Sequence, residues 1–147
     1  MAEPVCKPQQ SDANVSKRIL VVDDDEDIRR LNTEVLSCSG YEVDAAEDGS
    51  VAWDALQSNN YDLLVTDNGM PKVSGLELLK RLRSARMVVP VLMATGKLPQ
   101  EEFALHPWLH PDATLIKPYT VTELLGKVRE ILSSNNDSNG ASMARTA

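Results

Sequence analysis

The chain has 147 residues, 42% of them hydrophobic, and a formal net charge of −7. This composition predicts one ordinary globular domain with room for tails, and the acidic balance argues against a nucleic-acid surface. No apolar run reaches membrane-spanning length and no secretory h-region follows Met1, which argues against membrane insertion and export.

Residues 1–16 are polar and aperiodic, with Pro4, Pro8 and a Gln pair, and predict a disordered arm. Ile19-Leu20-Val21-Val22 is a continuous apolar run, the pattern of a strand covered on both faces. Five acids follow, Asp23-Asp24-Asp25-Glu26-Asp27. A helix comes next, with Ile28, Leu31, Val35 and Cys38 at helical spacing and Gly40 as its stop. Cys6 and Cys38 stand in dissimilar contexts, with neither CxxC spacing nor a His cluster. The reading is no zinc site, no disulfide framework and a reducing cytoplasm.

The acidic run has three readings. A solvated cluster favoured by the helix dipole is the commonest. A calcium loop would place Asp23, Asp25, Asp27 and Glu34 at positions 1, 3, 5 and 12, but position 6 is then Ile28 where a sharp turn needs Gly. The third is a magnesium site, with one carboxylate on the ion and another held through water.

Tyr41 to Ala45 alternates as a short strand, and Asp48-Gly49 opens a helix carrying Val51, Ala52, Ala55 and Leu56. Trp53 reads as packing at its edge. Leu63-Leu64-Val65-Thr66 is the next buried strand, running into Asp67 and a loop punctuated by Gly69 and Pro71. Asp67 alone has an ordinary reading, the cap of a turn. Ser74 is the natural N-cap of a helix with Leu76, Leu78, Leu79 and Leu82. A fourth strand starts near Pro90 and ends at Thr95-Gly96.

Pro99 opens a helix that Pro107 stops after about two turns. Thr114-Leu115-Ile116 is a fifth strand, ending at Lys117-Pro118. The last helix begins near Thr120 with a Thr120…Glu123 capping box and carries Val121, Leu124, Leu125, Val128, Ile131 and Leu132. The domain is expected over 17–133, and 134–147 as a polar, disordered tail.

Strand and helix therefore alternate five times. This predicts an α/β fold with a five-stranded parallel sheet and helices on both faces. All the strand ends then lie on one edge, where such folds bind ligands. Chance seldom places an acid pair, an acid, a hydroxyl and a lysine there in this order.

Val-Val-Asp-Asp, Asp-Asn-Gly-Met-Pro, Met-Ala-Thr-Gly and Lys-Pro-Tyr together resemble the receiver domain of two-component response regulators, over almost the whole folded region. The resemblance implies a (βα)5, flavodoxin-like topology with strand order 2-1-3-4-5. It implies that Asp67 is the phosphoacceptor and that Mg2+, with Mn2+ as a substitute, is held by Asp24 directly, Asp23 through water, Asp67 and the Gly69 carbonyl. Lys117 would pair with the acyl phosphate, Thr95 would donate its hydroxyl to it, and Gly96 would leave room for the donor. Pro118 would follow a cis bond. The donor would be a sensor histidine kinase or a histidine phosphotransfer protein.

Three features depart from the pattern. Thr114 stands where receivers often carry a switching aromatic. Gly69 has no side chain to shield a phosphate from water. Pro107 and Pro111 break the fourth helix region, so that Phe103, Trp108, Thr114 and Tyr119 mark a candidate output surface, unless the aromatics fold back onto the core.

The expected function is a single-domain phosphorylation switch or relay, not an enzyme beyond its own phosphotransfer and dephosphorylation. It would act on a downstream partner with no output domain after Leu132, or be the receiver part of a longer chain; a homodimer stays open. The alternatives are a phosphorylation-independent interaction module and a magnesium-dependent aspartyl-phosphate phosphatase.

Overall fold

The computed structural model describes residues 17–70 and 72–145, with 134–145 described by backbone alone. The expected arm at 1–16 lies outside them. Strands and helices alternate as β1 (Arg18–Val22), α1 (Glu26–Cys38), β2 (Glu42–Ala46), α2 (Gly49–Ser58), β3 (Leu63–Thr66), α3 (Gly75–Ser84), β4 (Val91–Thr95), α4 (Gln100–Leu105), β5 (Ala113–Ile116) and α5 (Val121–Arg145). A 3-10 turn at Pro107–Leu109 stands between α4 and β5. The strands form one sheet in the order β2-β1-β3-β4-β5, every pair parallel. The parallel sheet is what the alternation predicts, and the strand order is the one that the resemblance implies.

The apolar strand runs serve two layers because successive side chains leave opposite faces of a sheet. Leu20, Val22, Leu64 and Met93 pack with α2, α3 and the α4 segment. Ile19, Val21, Leu63, Val65, Leu92 and Ala94 pack with α1 and α5. Strand order reverses between β1 and β3, so the crevice of the fold opens at their carboxyl ends. Register fixes what stands there. Val22 pairs with Thr66, so Asp23 and Asp67 leave the sheet side by side. Thr95 pairs with Ile116, and Lys117 comes next.

Helix ends follow their local chemistry. Asp25 caps α1, its side chain accepting from the backbone N–H of Asp27 and Ile28. Gly40 takes φ 100° just past α1, a left-handed conformation that costs glycine little. Ser74 caps α3 by accepting from Glu77 N. Thr120 and Glu123 exchange both bonds of the capping box.

Four features differ from the sequence reading. The inward face of α1 is Asn32 and Leu36, while Leu31 is half exposed. Counting apolar residues misplaces that face because one inward residue is an amide. Helix α5 runs to Arg145, past residue 133, and no proline interrupts that stretch. Cys38 is disulfide-bonded, against the expectation of no disulfide framework. Phe103 is buried and packs into the core with Leu109, so for that residue the fold-back alternative holds. No helix among the described residues is long and apolar enough to cross a membrane.

Candidate functional site

The carboxyl edge of the sheet gathers the predicted residues. Oxygens of Asp23, Asp24 and Asp67 lie within 4.8 Å of one another. The Lys117 ammonium donates to Asp23 Oδ2 at 2.9 Å and to Asp67 Oδ2 at 3.2 Å. Asp23 and Asp67 are buried and Asp24 is exposed, so the cluster is reached from one side. Thr95, buried, ends β4, and its carbonyl accepts from the Lys117 backbone N–H at 2.9 Å. The Lys117-Pro118 bond is cis, as the resemblance implies.

Backbone and loop bonds set the carboxylates. Asp23 Oδ1 accepts from Asp25 N at 3.0 Å. Asp67 Oδ1 accepts from Asn68 N at 2.7 Å and from Gly69 N at 3.4 Å. Bonds of this kind orient an oxygen before any ligand arrives. Gly69 and Gly96 are both open: a Cβ on either meets no atom within 4 Å.

Three further residues, Arg29, Gly75 and the motif residue Asn68, also shape the site. Arg29 donates to the Asp23 carbonyl at 2.8 Å. The Asn68 side chain accepts from Leu76 N at 2.8 Å, tying the loop after β3 to α3. Gly75 lets α3 start against the Asp67 carbonyl, where a Cβ would collide with that oxygen. None carries a signal in spacing, because each acts through backbone placed by the fold. Of the candidate output residues, Phe103 is buried, Trp108 is 52% exposed, and Thr114 and Tyr119 are intermediate. The Tyr119 hydroxyl accepts from Asn32 at 2.8 Å.

The electrostatics follow from burial. Loss of water pushes the Asp23 carboxyl above its ordinary value, and the bonds from Lys117 and Asp25 only partly reverse this. Burial pulls the Lys117 ammonium down, and the carboxylates of Asp23 and Asp67 more than offset it, leaving it above its ordinary value. One lysine thus faces several acids at close range. Three acids offering only oxygen are a donor set for a hard divalent cation such as magnesium.

Acids and a lysine thus gather at the switch point of a five-stranded parallel α/β sheet, where doubly wound folds bind ligands. The chain matches the response regulator receiver domain over residues 19–129 and belongs to that family. It is 37% identical over 124 residues to the response regulator MprA of Mycolicibacterium vanbaalenii, covering 84% of this chain and 54% of that protein. It is 37% identical over 118 residues to the alkaline phosphatase synthesis transcriptional regulatory protein PhoP of Bacillus subtilis, covering 80% and 49%. The chain spans about half the length of these curated relatives.

Among solved structures, the response regulator TrrA of Thermotoga maritima, in complex with Mg2+-BeF, is 38% identical with a TM-score of 0.70, covering 79% of this chain and 99% of that one. The chemotaxis response regulator CheY4 of Vibrio cholerae is 30% identical with a TM-score of 0.72, covering 80% and 100%.

Proposed function

We propose that this domain takes a phosphoryl group onto Asp67 from a phosphohistidine, on a sensor kinase or a phosphotransfer protein, in a magnesium-dependent reaction. The observation that carries this reading is the single ammonium of Lys117 bonded to both Asp23 and Asp67, with an Asp24 oxygen inside the same cluster.

An Asp67 carboxylate oxygen forms the new P–O bond. The P–N bond of the donor breaks, and its electron pair leaves with the imidazole, which is then protonated. Asp23, Asp24 and Asp67 would hold magnesium together with the Gly69 carbonyl, as the resemblance implies. Manganese substitutes as another oxygen-seeking divalent ion. When bound, the ion would supply positive charge that offsets the acids and Lewis acidity toward the phosphoryl oxygens. Lys117 pairs with the acyl phosphate as a compact point charge. Thr95 turns its hydroxyl to a phosphate oxygen, carrying the change into β4 and toward a downstream partner. The domain that does this spans 17–133.

Open space at Gly69 and Gly96 supports easy access to the phosphate for a donor or for water. Gly69→Arg is expected to lengthen the lifetime of the phosphorylated state; an unchanged lifetime would count against that access. The reading as a whole is tested with a phosphorylated histidine kinase of the same organism. Transfer of radiolabel to the parent and not to Asp67→Asn supports it. Equal labelling of the two removes Asp67 from the role.

A further inference from the structure

Asn32 is buried in the middle of α1, on the face where a helix usually sets an apolar residue. A buried amide is retained at a cost unless it is bonded. Its partner is Tyr119, two residues beyond Lys117, and no local pattern joins the two.

Helix α1 is bonded at both ends of the same ion pair. Arg29, one turn before Asn32, donates to the Asp23 carbonyl, and Asn32 donates to the Tyr119 hydroxyl. Asp23 and Lys117 join across the site. The path Asp23, Lys117, Tyr119, Asn32, Arg29 and back to Asp23 is therefore closed. On its other side, the segment after β5 is fixed by Lys117 N on the Thr95 carbonyl and by Thr120 in its capping box. Between those anchors the side chain of Tyr119 reaches α1, while that of Lys117 reaches the acids.

We propose that Asn32 and Tyr119 are positioning residues for Lys117: their hydrogen bond ties the β5–α5 loop to α1 and holds the lysine over Asp23 and Asp67. This inference rests on the phosphoacceptor reading above. It carries a consequence of definite sign. The ammonium opposes a second cation at the oxygens it occupies. Loosening it therefore lets magnesium bind more tightly while slowing phosphoryl acceptance. A site that was simply less well folded would lose both.

The test uses the full chain with Tyr119→Phe, Asn32→Leu and the double variant. Magnesium affinity is measured by calorimetry, phosphoryl acceptance from acetyl phosphate by intact mass, and Tm in parallel. Tyr119→Phe is expected to tighten magnesium about threefold and slow acceptance by a similar factor, within the net worth of one hydrogen bond. The double variant has neither polar group left unpaired. It should recover Tm yet keep both shifts.

Magnesium affinity and acceptance equal to the parent in the double variant would reduce the pair to mutual satisfaction of a buried amide and a partly buried hydroxyl and overturn the inference. Weaker magnesium binding in step with Tm would overturn it too. A parent that neither binds magnesium nor gains a phosphoryl group removes the functional reading and this inference with it. A parent that does both, with unshifted variants, removes the inference alone.

Discussion

The strand-end site and the α4 segment lie in the same α/β layer plan and are held in different ways. Asp23, Asp67 and Lys117 stand at the ends of three strands, and their side chains bond one another and the loops around them. The α4 segment is a six-residue helix and a 3-10 turn, bounded by Pro99 and Pro111. Phe103 and Leu109 point into the core, and Leu105 and Trp108 point out. Its ring contacts, Phe103 with His110 at 5.1 Å and His106 with Trp108 at 6.0 Å, are local. Charge placed by strands makes a site with little freedom. A short helix pinned by two apolar residues makes a surface with more of it.

If that contrast holds, the largest effect comes from backbone packing at the site. Gly75→Ala drives a methyl into the Asp67 carbonyl and should cost about 3 kcal/mol, the upper range for overpacking. Gly126→Ala in α5 meets nothing and should gain up to about 1 kcal/mol from helix propensity. Urea unfolding of the two variants checks the pair.

In the α4 segment the cost should sit in one residue. Leu109→Ala removes a fully buried side chain and should cost about 2 kcal/mol, while Trp108→Ala should stay within about 0.5 kcal/mol. Equal losses would show that the outward tryptophan is part of the core. At the start of α5, Thr120→Ala removes half of the capping box and should cost about 1 kcal/mol.

The smallest effect is read as a pH dependence. The raised Asp23 carboxyl binds its proton more tightly in the fold than in the unfolded chain. Its contribution is fully present below the ordinary value of 3.8 and is lost as pH rises through the raised value. Asp23→Asn keeps Lys117 paired with Asp67 and removes this loss. The stability of Asp23→Asn relative to the metal-free parent should therefore rise with pH across that window and then level off. A difference that does not change with pH would mean that burial of Asp23 is not the cause.

Much of this was legible in the chain because it is local. Apolar runs mark β1, β3 and β4, Ser74 and the Thr120…Glu123 box mark two helix starts, and Pro107 marks the end of α4. The acids and Lys117 were legible because each follows a strand. What stayed hidden is long-range or backbone-mediated. Arg29 reaches a carbonyl, Gly75 matters for the oxygen it passes, and Asn32 looks like an outward helix residue until Tyr119 arrives from the far end of the chain. The inward turn of Phe103 was one of two readings that the chain left open, since exposure at a broken helix depends on what packs beneath it.

The most direct test of the account is intact mass after incubation with acetyl phosphate, run with magnesium, with chelator and with Asp67→Asn. The account predicts a gain of one phosphoryl group that requires both magnesium and Asp67. A gain that survives the chelator or the Asp67→Asn change would contradict it.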